Sequence, residues 1–273
     1  MNAFNYYGGK QSMISDILPL LPDCDHYCEP FAGSLAILLN RRPSPIETAN
    51  DLNGDIANFF RVLRRSGRRF VKELQLMPYS REEFEAAWEE TDDNFERALR
   101  FFVRVTMDIA KAGRKCDKSW ASNVKYCQGE HSYAPFNFMR KVAGLQQVVA
   151  RLKGVQIENR SAVKIIQKYD TPRTLFYCDP PYIHSTRTSK KDYKHEMSLE
   201  DHYELASVLR KCKGMVAVSG YESPDTATMY AGWKKIAFDP KQVPMSRGNG
   251  LVRQECLWLN YDPAEKQGQL KLF

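Results

Sequence analysis

The apolar run Leu175-Phe176-Tyr177-Cys178, followed at once by Asp179-Pro180-Pro181-Tyr182, constrains this chain more than any other stretch. A short apolar run closed by prolines reads as a strand buried on both faces, as in parallel sheets. Proline fixes φ and lacks a backbone N–H, so the strand must stop here, and one proline carbonyl is left without a ladder partner. Asp179 therefore stands at the carboxyl edge of a sheet, where open α/β sheets bind ligands. The Asp179 side chain, the Pro180 carbonyl and the Tyr182 ring provide two acceptors and a flat plate. That set, with Pro181 stiffening it, suits a planar heterocycle carrying an exocyclic amino group.

Elsewhere the chain alternates between strand and helix signals. His26-Tyr27-Cys28 reads as a strand, 29–34 as a turn and 35–40 as the start of a helix. A second strand is expected over 46–49, then a helix over 56–65 with Phe59, Phe60 and Leu63 on one face. Helices are expected over 80–104, with Ser80 and Glu83 as a capping box, and again over 139–152. Further strands are expected at 155–157, 174–178, 215–219 and 251–260, with a helix beginning near Ser198 and boxed by Asp201. The pattern is one α/β sheet interrupted by a basic, mostly helical insertion. The expected division is 1–55 with 155–262 for the sheet domain, 56–154 for the insertion and 263–273 for a flexible tail.

At 273 residues the chain can hold one such domain with its insertion. Seven cysteines without regular spacing suit a reducing cytosol better than a disulfide framework. Cys24 with Cys28, and Cys116 and Cys127 with His131, lack the second matching pair that structural zinc needs, so no metal is expected. No apolar stretch approaches the roughly 20 residues of a membrane span, and no membrane partner is expected. The net charge is +7. Residues 104–153 carry ten Lys and Arg against Asp108, Asp117 and Glu130, and so hold all of it. Aromatic residues are interleaved there, which makes 104–153 a candidate nucleic-acid surface. Its candidate DNA contacts are Arg114, Lys115, Lys118, Trp120, Lys125, Tyr126, Asn137 and Arg140. Arg187 and Lys190, in the basic loop after the catalytic turn, join them.

Glu29-Pro30-Phe31-Ala32-Gly33-Ser34 follows the first strand, and its single glycine excludes a dinucleotide fingerprint. Asp51 ends the next strand about 20 residues on, where an acid typically holds ribose hydroxyls. A nucleoside cofactor without phosphates, surrounded by acids, matches S-adenosylmethionine, whose cationic sulfonium Tyr7 or Phe31 could face.

In this order, Tyr6-Tyr7-Gly8-Gly9-Lys10, Glu29 to Ser34, Asn50-Asp51, the insertion and Asp179 to Tyr182 span almost the whole chain. Together they resemble the Dam-like (D12 class, α-group) family of adenine-N6 DNA methyltransferases. The resemblance implies a Rossmann-like S-adenosylmethionine-dependent methyltransferase sheet with an inserted target-recognition domain, in a bacterium or its phage. It implies Tyr7, Gly9, Lys10, Glu29, Pro30, Phe31, Ala32, Gly33, Ser34, Asp51 and Asp179 as cofactor residues. It further implies methylation of a flipped-out adenine in duplex DNA, with Asp in the strand-end tetrapeptide favouring adenine N6 and Ser cytosine N4.

Two segments depart from the family pattern. The family often places an acid after the strand 155–157; here the segment reads Asn159-Arg160-Ser161-Ala162, so Ser161 and Ala162 become the candidates for the cofactor's adenine. GATC-specific members carry Phe-Asn-Val-Pro late in the insertion, whereas Pro135-Phe136-Asn137-Phe138-Met139 stands here. The final Gln269-Leu270-Lys271-Leu272-Phe273 resembles the pentapeptide with which bacterial proteins bind the replication sliding clamp, through Gln269, Leu270, Leu272 and Phe273. Two alternatives share these features: an RNA base N-methyltransferase, and a clamp-tethered DNA-binding protein without catalysis.

Overall fold

Seven strands form one sheet in the order β5-β2-β1-β6-β7-β9-β8. These are β1 (His26–Glu29), β2 (Ile46–Asn50), β5 (Val155–Glu158), β6 (Thr174–Cys178), β7 (Met215–Tyr221), β8 (Lys234–Ala237) and β9 (Glu255–Leu259). The computed structural model describes residues 1–4, 6, 8–109, 119–122, 127–128, 131–183, 196–239 and 254–264, with backbone alone at 127–128 and 131–132. The first five strands pair in parallel, while β9 runs antiparallel between β7 and β8. The chain moves from β1 outward through β2 to β5, then returns to β6 on the other side of β1. This reversal between β1 and β6 is the topological switch point, where a crevice opens at the carboxyl ends of the strands.

Period-two alternation in β6 explains both faces of the sheet. Leu175 and Tyr177 enter a core shared with Phe59, Phe102 and Leu145. Phe176 and Cys178 enter a second core with Ile165, Leu205 and Val216. The first core packs under α1 (Ile14–Ile17) and four helices lying between β2 and β5. These are α2 (Gly54–Leu76), α3 (Arg81–Ala86), α4 (Asn94–Met107) and α5 (Tyr133–Leu152), with the short pair β3 (Cys127–Gln128) and β4 (His131–Ser132) before α5. The second core packs under α6 (Ala162–Tyr169), α7 (Leu199–Leu209) and α8 (Pro224–Met229).

The helices of the inserted stretch are pinned to the sheet by a buried ion pair. Arg151 on α5 grips both carboxylate oxygens of Glu47 on β2, and its Nη2 also donates to the Leu38 carbonyl at 2.9 Å.

Several expectations need adjustment. No helix starts at Leu35: that residue has φ 56, in the left-handed region, just after Gly33 at φ 47. Left-handed residues interrupt a right-handed helix, and 36–40 form successive turns. Ser80 caps α3 by accepting from the Glu83 N–H, but the reciprocal half of the box is not recorded. Ser198 and Asp201 do form the full box at α7. The insertion's first helix begins at Gly54, capped by Asn53. Strand β8 was not expected, and 251–253 lie outside the described residues, so the last strand is seen over Glu255–Leu259.

Candidate active site

A cleft at the switch point is lined from the N-terminal segment, the β1 and β2 turns, the start of α6, the end of β6 and α7. Gly9, Lys10, Glu29, Pro30, Phe31, Ala32, Gly33, Ser34, Asp51, Ser161, Ala162, Asp179 and Pro181 all lie on its wall. Tyr7 lies outside the described residues, whereas Tyr6 lines the cleft. Pro180 and Tyr182 line a smaller adjoining hollow with Tyr221 and Trp258 instead.

The β1 turn owes its shape to backbone bonds. Asp51 accepts from the Gly33 N–H at 2.9 Å and from the Asn53 N–H at 2.8 Å. Leu35 closes the turn by donating to the Ala32 carbonyl at 2.7 Å, and full burial of its side chain holds its left-handed backbone in place. Asn50 staples three segments: its Nδ2 donates to the carbonyls of Pro30 and Arg160, and its Oδ1 accepts from the Arg160 N–H. Asn159 donates to the carbonyls of Asp51 and Leu52, so the segment that lacks the family's acid braces the β2 end.

The electrostatics are lopsided. Six acids line the cleft (Glu29, Asp51, Asp179, Glu196, Asp201 and Glu204), against Lys10 as the one basic residue among the described lining residues. Burial pushes the Glu29 carboxyl up to about 8, even though it accepts from the Tyr27 hydroxyl at 2.8 Å and the Leu38 N–H at 2.7 Å. Burial likewise raises Asp51 to about 6 against the two amides that favour its charge. Glu29 is thus mostly protonated at neutral pH, and the remaining acids still outnumber Lys10, so the wall disfavours phosphates and attracts cations.

Lys10 is 4% exposed and organises the edge of the cleft around Asp179. Its ammonium donates to Asp179 Oδ1 at 2.7 Å and to the Tyr182 hydroxyl, and lies 3.4 Å from Glu255. Burial alone would lower its pKa, but Asp179 and Glu255 outweigh burial and raise it above the ordinary lysine value. Asp179 Oδ1 also accepts from the Ser219 hydroxyl at 2.8 Å, and Tyr182 donates to Glu255 at 2.6 Å. The Tyr182 ring packs edge-on against Tyr221 with centroids 4.5 Å apart. The orientation of Tyr182 is thus fixed at both ends.

Sequence reasoning missed Glu255, Ser219, Tyr6 and Asn50. Glu255 and Ser219 sit in strands far along the chain: the pairing of β7 with β6 brings Ser219 to Asp179, and the pairing of β9 with β7 brings Glu255. Asn50 stood beside Asp51 in a quoted motif, and its side-chain inventory of two donors and one acceptor was the available signal.

The DNA candidates are less concentrated. Arg114, Lys115, Lys118, Lys125, Tyr126, Arg187 and Lys190 lie outside the described residues, as do Gln269, Leu270, Leu272 and Phe273. Trp120 is not a free plate: its ring packs against Tyr79 at 5.8 Å, and Arg81 lies over it at 4.7 Å. Asn137 accepts from Arg140 at 3.1 Å on α5, beside the exposed side chains of Tyr133, Phe136 and Met139.

Comparison with known proteins agrees with this geometry. Residues 6–239 match the family described as D12 class N6 adenine-specific DNA methyltransferase. The chain is similar to the retron Ec67 DNA adenine methylase of Escherichia coli, at 24% identity over 94% of this chain and 93% of that protein. It is equally similar to a DNA adenine methylase of Vibrio cholerae, at 24% identity over 94% of each chain. A DNA N-6-adenine-methyltransferase of Escherichia phage P1 is 23% identical over 84% of this chain but only 31% of its own length.

Proposed function

The chain belongs to the D12 class N6 adenine-specific DNA methyltransferase family, and from that premise we propose how its cleft methylates adenine in DNA. The observation that carries the reading is an acid-lined cleft ending at Asp179. The donor set fits S-adenosylmethionine, which supplies the methyl group as a sulfonium when bound. Phosphate cofactors would meet an acid-rich wall there, while a cation with a nucleoside meets acids and the Tyr6 and Phe31 rings. Asp51, Asn53, Ser161 and Ala162 would hold the nucleoside end. Gly33 gives it access, because φ 47 is a backbone that side chains rarely adopt.

At the reacting edge, the Asp179 carboxylate and the Pro180 carbonyl would accept the two amino protons of adenine. An exocyclic amine is a poor nucleophile because its lone pair is delocalised into the ring. Two acceptors favour a more pyramidal nitrogen and aim that lone pair along the line of transfer. The surplus proton on N6 leaves toward the Asp179 carboxylate. Lys10, shared with Glu255, holds the Asp179 carboxylate in place without claiming it fully, and Tyr182 frames the pocket for a flipped base.

In this reading 56–154 form the target-recognition region and the terminal pentapeptide docks on the sliding clamp; deleting 269–273 should remove clamp binding and leave methyl transfer intact. The decisive experiment is single-molecule sequencing of DNA from a methylation-free bacterial host expressing the chain. N6-methyladenine within a defined motif is expected. Unmodified DNA, with modified RNA in its place, would overturn the reading.

A further inference from the structure

The second half of α2 reads Arg61-Val62-Leu63-Arg64-Arg65-Ser66-Gly67-Arg68-Arg69-Phe70-Val71-Lys72-Glu73. Arg61 with Arg65, and Arg68 with Lys72, are each four residues apart, so each pair shares a helix face on its own side of the kink at Ser66. All four are exposed. The opposite side is packed: Leu63, Phe70 and Leu74 are buried, and a Cβ at Gly67 would come within 2.5 Å of Val149 on α5. Ser66 has non-helical angles, φ −131 and ψ 27, yet the four cations stay exposed on both sides of that kink.

Their basic neighbours are already engaged. Arg64 donates to the Val155 carbonyl at 2.6 Å. Arg69 lies 3.9 Å from Glu73 and 4.1 Å from the Phe95 ring centroid. Among the described residues no ion pair engages Arg61, Arg65, Arg68 or Lys72. The exposed Lys153, two residues before Val155, lies next to the turn that Arg64 anchors.

The location separates this stripe from the cleft. Asn53 caps α2 and lines the cleft. Arg64 meets the first residue of β5, at the amino edge of the sheet, while Asp51 and Asp179 stand at its carboxyl edge. Residue 61 therefore lies about 12 Å along the helix from the cap, and 68–72 continue beyond the kink at Ser66. Each pair spans about 6 Å of helix, and duplex DNA presents one phosphate charge for roughly every 1.7 Å of its axis.

We propose that this stripe is a second DNA-binding surface, gripping the phosphate backbone of a duplex segment other than the one that delivers the target adenine. Its contacts fall on phosphates, so they are independent of sequence and work by counterion release. Its role is to hold the enzyme on long DNA between turnovers. The inference rests on DNA being the polymer substrate and not on the assignment of any catalytic residue.

The test compares the full-length chain with the R61Q/R65Q/R68Q/K72Q variant. Binding to fluorescent duplexes of about 14 and about 60 base pairs is measured by anisotropy from about 50 to 300 mM salt. On the long duplex the slope of log affinity against log salt should fall by about 3 to 4 in the variant, at roughly 0.9 per lost phosphate contact. On the short duplex carrying the target motif the slope should fall by less than about 1, and turnover there, read against the wild type, reports separately on the catalytic reading. A second variant, R61K/R65K/R68K, keeps the charge and should restore the long-duplex slope. An unchanged slope on long DNA would overturn the proposal. So would an equal loss on the short duplex, or tighter stripe-dependent binding of single-stranded RNA than of duplex DNA.

Discussion

Lys10 and Asp179 lie 2.7 Å apart, nitrogen to oxygen, although 169 positions separate them in the chain. The ammonium is shared with Glu255 at 3.4 Å, and the carboxylate with Ser219 at 2.8 Å. Neither charge is therefore spent on a single partner. A carboxylate held in this way remains open to a further donor, which is what an acceptor for an amino group requires.

Replacing that acceptor should separate chemistry from donor binding. Asp179→Ala is expected to lower methyl transfer by roughly a thousandfold. Affinity for S-adenosylmethionine should stay within about threefold, well under 1 kcal/mol. Single-turnover methylation and calorimetry check the two halves, and retained turnover would remove Asp179 from the mechanism.

Glu255 is expected to act as a positioning residue through Lys10 and Tyr182. Glu255→Gln still accepts from the Tyr182 hydroxyl but removes one of the two carboxylates that outweigh the burial of Lys10. The ammonium should then lose its proton at lower pH, so the alkaline limb of the kcat profile moves down while KM for DNA changes little. We expect kcat at neutral pH to fall by about 10- to 100-fold. Tyr182→Phe should leave the alkaline limb in place. Identical pH profiles for wild type and Glu255→Gln would defeat the assignment.

Asp51 should make donor binding sensitive to pH. With its carboxyl raised to about 6 by burial, its charge develops between roughly pH 5 and 7. Affinity for the cationic donor should rise through that window with proton release, measurable by calorimetry in buffers of different ionisation heat. Asp51→Asn should flatten the rise. A pH-independent wild type would show that Asp51 does not sense the donor's charge.

Glu29 gives a stability prediction of definite sign. Its folded-state pKa, about 8, lies above the unfolded value near 4.5. The folded form thus holds the proton more tightly, and stability falls as pH rises from the unfolded value through about 8. Glu29→Gln keeps acceptors for Tyr27 and Leu38 but has no charge to bury. Between pH 6 and 9 the wild type should lose Tm by roughly 5 °C more than the variant does. Parallel melting curves would contradict this.

Arg151→Met should destabilise the protein by about 3 kcal/mol, because it strands the Glu47 carboxylate, 2% exposed, without its cation. Denaturant titration reads the loss, and the double variant with Glu47→Gln should recover much of it. Full additivity of the two single changes would mean that the pair is not coupled.

What was legible in the sequence followed local chemistry. β6 and its tetrapeptide stood out because a doubly buried strand must be apolar and prolines must end it. The Ser198 box was visible because its two halves are three residues apart. What stayed hidden depended on distance or on exposure. β8 carries Lys234 and Lys235 on an open edge, with no apolar alternation to betray it. Leu35 is an apolar residue that propensity puts in a helix, but the turn beneath it demands a left-handed backbone. Glu255 and Ser219 carry no motif of their own and acquire meaning only through strand pairing.

The late position of Glu255 has a consequence for synthesis. A chain growing from its N-terminus gains Lys10 first, then Asp179 and Ser219, and the second carboxylate only when β9 emerges and pairs with β7. Until then the ammonium has a single carboxylate partner and the Tyr182 hydroxyl lacks its carboxylate acceptor. The pair of carboxylates around Lys10 is therefore completed last among the described strands of the sheet.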